Sequence, residues 1–71
     1  MHRELVQSTA LRSIGYDAKK KILELEFKEN SGVWQYFGIS PATYKRLMNA
    51  ASIGHYFVTR IKGKYPELRI I

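Results

Sequence analysis

The sequence predicts an α+β fold: a three-stranded antiparallel meander sheet with two C-terminal helices packed on one face. Two observations predict it. In the run ILELEFK, apolar and charged residues alternate with the two-residue period of a half-buried strand. After Ser40-Pro41, apolar residues recur at the spacing of an amphipathic helix. With 71 residues, the chain is long enough for a single domain spanning residues 1–71.

The strands are expected after residues 1–9, which are polar and irregular and are predicted to form an extended lead-in or a loosely held strand. Three runs have strand composition: Leu11–Tyr16, Lys21–Lys28 and Val33–Ile39. The stretches between them, DAKKK and ENSG, have the composition of turns. Consecutive runs are therefore predicted to pair as hairpins, giving the order β-β-β-α-α. The tail, residues 67–71, is predicted to be a short final strand or a coil held against the domain.

Each helix is predicted from its capping residue and its apolar stripe. Ser40 is a favourable N-cap, and Pro41 suits the first helical position because that position needs no N–H donor. Ser52 is a second N-cap candidate, and Gly63 is the predicted C-terminal stop of the second helix. The first stripe comprises Tyr44, Leu47, Met48 and Ala51. The second stripe comprises Ile53, Tyr56, Phe57 and Ile61.

The pairing of the hairpins decides where the aromatic residues of VWQYF point. Turns centred on Lys19-Lys20 and Asn30-Ser31 place Tyr16 opposite Leu23 and Leu25 opposite Tyr36, and opposed residues share a face. Trp34 and Tyr36 are then expected in the core rather than on an exposed base-stacking surface. The opposite face is expected to expose Glu24 and Glu26 to solvent. A slip of one residue at Gly32 would reverse the assignment of the third strand.

The charge balance favours a polyanionic partner. Twelve Lys and Arg against six Asp and Glu give a net charge of +6. The basic residues are dense in the C-terminal third and interleaved with tyrosines, a pattern typical of contacts to a nucleic-acid backbone. The alternative is that these cations only keep the helices soluble and interact favourably with the partial negative charge at the C-terminal ends of the helices. The candidate nucleic-acid-binding residues are Lys45, Arg46, Tyr56, Arg60, Lys62, Lys64 and Tyr65.

Other function classes have little support in the sequence. There is no cysteine, and the two histidines lie far apart along the chain, so neither a metal site nor a cofactor is predicted. No cluster of titratable groups indicates catalysis, so the protein is predicted not to be an enzyme. The sequence has neither an apolar run of membrane-spanning length nor the apolar core of a signal peptide. A cytoplasmic protein with no membrane partner is therefore expected.

Several short stretches resemble the KTSC domain, which occurs at the C-terminus of some lysyl-tRNA synthetases and as small stand-alone proteins. IGYD is similar to the end of its first strand, LELEF to its second strand, and WQYFGIS to its central Tyr-x-Tyr motif. ASIGHYFVTRIKGKYP is similar to its C-terminal motif. Trp34 replaces the first tyrosine of the central motif, and Val58 stands where the family usually has asparagine.

The resemblance implies RNA binding, which is suspected for the family. It agrees with the charge, so a small RNA-binding module that contacts phosphates is the preferred hypothesis. The alternative is a protein-interaction or self-associating module without a nucleic-acid role. In that case a sheet edge, or the outer-face residues Ile22, Val33 and Phe37, would bind a partner protein.

Overall fold

The computed structural model, which describes residues 1–71, contains one antiparallel sheet of five strands in the order β1-β2-β3-β4-β5. The strands are β1 (Glu4–Leu5), β2 (Leu11–Asp17), β3 (Ile22–Phe27), β4 (Val33–Phe37) and β5 (Glu67–Arg69). The helices are α1 (Pro41–Met48) and α2 (Ile53–Tyr56), and α2 continues into a π-helical turn at Phe57–Ile61. The α+β class is confirmed, and the sheet has two strands in addition to the predicted three-stranded meander.

The two additional strands are short and lie at the edges of the sheet. β1 falls within the lead-in, for which a loosely held strand was one of the two expectations, and it pairs with β2 through Glu4 and Ile14. β5 pairs with β4 through Trp34 and Arg69, so of the two alternatives predicted for the tail, the short final strand is the one observed. With two and three residues, they are too short to show a period-two pattern.

Neither helix is long and apolar enough to cross a membrane.

The face assignment of the sheet is confirmed, although one register differs. Tyr16 lies opposite Leu23, as predicted. Tyr36, however, pairs with Leu23 rather than with Leu25. The turn before β4 is centred on Glu29 and Asn30, both at positive φ, which is one residue earlier than predicted. The resulting shift of two residues leaves every side chain on its predicted face, because the side-chain period of a strand is two.

The helices pack on the inner face of the sheet. Leu11 belongs to the core although it lies an odd number of residues from Ile14, because β2 contains a bulge between Leu11 and Ser13. Tyr36 is buried as predicted, whereas Trp34, near the start of β4, is only half-buried. The buried core comprises Leu11, Ile14, Leu23, Leu25, Tyr36, Ile39, Leu47, Phe57 and Ile61.

Both predicted helix starts are confirmed by their capping contacts. The Ser40 hydroxyl accepts a hydrogen bond from the Thr43 N–H at 3.2 Å, and the Ser52 hydroxyl accepts one from the His55 N–H at 3.2 Å. The first helix ends earlier than its apolar stripe suggested. Ala51 lies beyond the helix and is exposed, so its assignment to the stripe was wrong.

The outer face is not the solvated surface that the alternating glutamates suggested. Glu24 is only 3% exposed, so the prediction that it faces solvent was wrong. Its carboxylate forms an ion pair with Arg3 and accepts a hydrogen bond from Gln35 Nε2 at 2.8 Å. Arg3 Nε also donates to the Ser13 hydroxyl at 3.1 Å. This network joins the N-terminal segment to three strands.

Gly15 makes the path of the N-terminal segment possible. A Cβ atom at this position would lie 2.5 Å from the His2 carbonyl oxygen and 3.0 Å from Arg3 Cγ. Because glycine lacks that atom, Arg3 can cross β2 and reach Glu24 on β3.

Val33, on the same outer face, is 4% exposed, so it is not part of an exposed docking patch as the protein-interaction hypothesis required.

Candidate nucleic-acid interface

An open cleft lies between α1 and the helical segment formed by α2 and the π turn. We call it the α1–α2 cleft. α1 and the loop that follows it form one wall, α2 and the π turn form the other, and the turn after Ile61 closes one end. Its polar lining residues are Thr43, Arg46, Ser52, His55, Tyr56, Thr59, Arg60, Lys64 and Tyr65.

The positive charge of the cleft is not neutralised within the protein. None of the lining residues is Asp or Glu. The ion pairs of the structure, Arg3 with Glu24 and Arg12 with Glu26, both lie on the outer face of the sheet. The side chains of Arg46, Arg60 and Lys64 are therefore free to contact an anionic ligand.

The π turn determines which residues face the cleft. Phe57 and Ile61, four residues apart, are both buried. Tyr56 and Arg60, which directly precede them, therefore lie together on the neighbouring side of the helical segment. The wide turn is closed by a hydrogen bond from the Lys62 N–H to the Phe57 carbonyl at 2.8 Å. π-helical turns within helices occur frequently at functional sites.

The structure brings most of the predicted binding residues together. Arg46, Tyr56, Arg60, Lys64 and Tyr65 line the cleft. The other two do not: Lys45 is exposed on α1 outside the cleft, and Lys62 points into a different depression.

Sequence reasoning did not assign four polar residues of the cleft to the binding site. Thr43, Ser52, His55 and Thr59 line it, but none of them carries the positive charge or the tyrosine ring by which the other candidates were selected. The Thr59 hydroxyl donates to the His55 carbonyl at 2.9 Å, one helical turn earlier. The available signal was their spacing, since His55 and Thr59 lie four residues apart on the side of the helix away from the core.

The depression that contains Lys62 lies between the second hairpin and the π turn, and we call it the aromatic hollow. It is lined by Phe27, Trp34, Tyr36 and Phe57, together with Lys62 and Glu67. Phe57 packs edge-on against two of these rings, with centroid distances of 5.4 Å to Phe27 and 5.3 Å to Tyr36.

The two sides of the aromatic hollow differ in their surroundings. Burial raises the pKa of Tyr36, and the neighbouring Glu67 carboxylate raises it further. The phenol therefore ionises only at a higher pH than that of an exposed tyrosine. Trp34 is held by a hydrogen bond from its indole N–H to the Ser31 carbonyl at 3.3 Å. The Arg69 guanidinium lies 6.0 Å from the centroid of the Trp34 ring. Trp34 thus keeps a fixed orientation while remaining partly accessible.

The fold and these surface features define a small basic α+β domain, and comparison with known proteins places it in a family. The KTSC domain model matches residues 7–65, and the chain belongs to this family. The resemblance drawn from the sequence motifs is thereby confirmed.

Two relatives are similar to this chain over most of their own length. The crystal structure of a KTSC domain protein from Yersinia pestis superimposes with a TM-score of 0.94 at 37% identity, covering 99% of this chain and 97% of that one. An uncharacterized protein of Stutzerimonas stutzeri (strain A1501) is 39% identical over 57 residues, which are 80% of this chain and 79% of that protein.

A third relative is a much longer protein than this chain. A lysine–tRNA ligase of Nostoc punctiforme (strain ATCC 29133 / PCC 73102) is 34% identical over 59 residues, which are 83% of this chain but 10% of the ligase. The similarity is therefore confined to a small part of that protein.

Proposed function

We propose that this protein is a non-catalytic nucleic-acid-binding module that prefers RNA and holds its phosphates in the α1–α2 cleft. The observation that carries the proposal is the unpaired positive charge of the cleft. Arg46 and Arg60 approach from opposite walls, and Lys64 closes one end. A phosphate between them would replace water as the partner of their N–H groups.

The tyrosines and hydroxyls of the cleft suit a sugar–phosphate strand. Tyr56 and Tyr65 are half-buried, so each presents part of a ring to a ligand without having to leave the protein surface. Thr43 and Thr59 provide hydroxyl groups that can pair with phosphate or with the 2′-hydroxyl of ribose.

RNA is preferred over DNA because of the relative named as a lysine–tRNA ligase, which contains a segment similar to this chain. That name concerns the ligase and reaches this chain only by analogy. The same analogy favours a cytoplasmic location.

The test is a binding titration of a fluorescein-labelled single-stranded RNA, followed by anisotropy at several salt concentrations. Three phosphate contacts predict that log Kd rises with log[salt] with a slope of about 2, from about 0.7 per contact on single strands. The variant Arg46→Gln/Arg60→Gln should weaken binding and lower the slope by about 1.4.

The control variant is Lys19→Gln/Lys20→Gln, which removes the same charge at the exposed hairpin turn between β2 and β3. It should bind nearly as well as the unmodified protein. Equal weakening by both variants would show a diffuse charge effect instead of a site. Absence of binding at 50 mM salt would exclude the proposed function.

The outer-face residues predicted to bind a partner protein give the alternative of a protein-interaction module little support. Val33 is buried, and Ile22 and Phe37 are half-buried, so these three residues present little continuous apolar surface.

A further inference from the structure

The aromatic hollow has an accessible ring and a rigid base. Tyr36 and Phe57 are 3% and 5% exposed, so the core fixes the base of the hollow. Trp34 and Phe27 are half-buried and supply the aromatic surface that a ligand can reach. Preorganised aromatic surface of this kind binds flat rings by stacking, with little loss of side-chain freedom.

The charges around the hollow indicate what kind of ring it accepts. Lys62 and Glu67 are both exposed and form no ion pair with each other. A cationic ligand would meet Lys62 and also Arg69 beside Trp34. A phosphate would meet the Glu67 carboxylate. A neutral ring whose edge carries both donors and acceptors can satisfy both Lys62 and Glu67.

The hollow is close enough to the α1–α2 cleft for one strand to reach both. Lys62 lines the hollow, whereas Lys64 lines the cleft. Their Cα atoms are two residues apart along the chain and therefore at most about 7.6 Å apart. Between them lies Gly63, whose positive φ of 77° turns the backbone.

We infer that the aromatic hollow binds one nucleobase of the RNA strand whose phosphates lie in the α1–α2 cleft. This inference rests on the proposed function and extends it from backbone contacts to base recognition. The base stacks on Trp34, and its edge pairs with Glu67 and Lys62.

Guanine matches these two groups better than uracil or adenine does. Its N1–H and exocyclic amino group can both donate to the Glu67 carboxylate, and its O6 accepts from an amine such as that of Lys62. Uracil offers one N–H donor on that edge, and adenine offers one amino group beside a ring nitrogen acceptor. A preference for guanine is therefore expected.

The experiment uses six-residue sugar–phosphate strands that are abasic except for one central guanine, adenine or uracil. A fully abasic strand reports phosphate contacts alone. Binding is followed by anisotropy, and Trp34, the only tryptophan, reports stacking through its intrinsic fluorescence. The guanine strand should bind about fivefold or more tighter than the abasic strand and quench Trp34, since stacking on an aromatic side chain strengthens binding.

Two variants separate base recognition from charge. Glu67→Gln should reduce the preference for guanine, whereas Glu4→Gln, an equal charge change on exposed β1, should leave it unchanged. Trp34→Leu should remove the advantage of any base over the abasic strand.

The outcomes distinguish the two proposals. If the abasic strand binds as tightly as the others and Trp34 emission stays constant, the hollow does not bind a base, while the cleft proposal stands. If the abasic strand fails to bind at low salt, the phosphate-binding function itself is excluded. An undiminished guanine preference in Glu67→Gln would exclude the role of the carboxylate.

Discussion

The buried carboxylate of Glu24 makes the stability of the sheet depend on a residue near the N-terminus. Its side chain is 4% exposed, whereas that of its partner Arg3 is 26% exposed. Replacing Arg3 with leucine leaves a buried negative charge whose remaining contact is the 2.8 Å hydrogen bond from Gln35. Replacing Glu24 with leucine instead frees an arginine that can turn into solvent. The two substitutions should therefore have unequal effects.

The magnitude follows from this difference in exposure. Removing one partner of a fully buried ion pair costs about 3–5 kcal/mol. Because Arg3 is partly exposed and belongs to a terminal segment that can move aside, water can reach Glu24, and about 2 kcal/mol is expected for Arg3→Leu. Glu24→Leu should cost less than about 1 kcal/mol. The double variant should be close to the unmodified protein, since an apolar pair often replaces a buried ion pair without loss.

Thermal and urea denaturation of the four proteins measure these differences. A domain of 71 residues has a free energy of unfolding of about 4–10 kcal/mol, so a loss of about 2 kcal/mol is a large fraction of it. Tm should fall by about 8–16 °C in Arg3→Leu. An unchanged Tm in this variant, or a larger loss in Glu24→Leu, would refute the reasoning that Arg3 compensates a buried charge.

Two further predictions follow from the same structure. Gly15→Ala should displace the N-terminal segment, because the added Cβ would lie 2.5 Å from the His2 carbonyl oxygen. Its loss of Tm should be similar to that of Arg3→Leu, and combining the two should add little; full additivity would mean that the effects are separate. The raised pKa of Tyr36 means that above pH 10 the phenol ionises more readily in the unfolded chain than in the fold. The free energy of unfolding therefore keeps its full value below pH 10 and declines as the pH rises above it. Tyr36→Phe should show a shallower alkaline decline of Tm, and an identical decline would contradict this.

The predictions that succeeded rest on local chemistry. Ser40 and Ser52 cap the helices as expected because an N-cap needs only a hydroxyl and the N–H three residues later. The inner face of the sheet was assigned correctly because the alternation in β3 fixes the side-chain parity. The predicted centre of the second turn was wrong by one residue, yet this shifts the pairing by two residues and leaves the faces unchanged.

The predictions that failed concern contacts between distant parts of the chain. Glu24 alternates with leucines as a solvated residue would, and nothing near it in the sequence indicates that Arg3 covers it. The bulge in β2 turns Leu11 into the core without a sequence signal. Trp34 was expected in the core, but it packs against the core only in part and is half-buried.

The sequence by itself determined the α+β class, the positions of the helices, the inner face of the sheet and the residues that carry the positive charge. These follow from periodicity, capping and composition, which act over a few neighbouring residues. Only the tertiary structure decided which cations share a cleft. Arg46 and Arg60 lie on opposite walls because α1 and α2 pack side by side, while Lys62 points to the aromatic hollow. Packing across the whole chain sets these positions, so no local pattern encodes them.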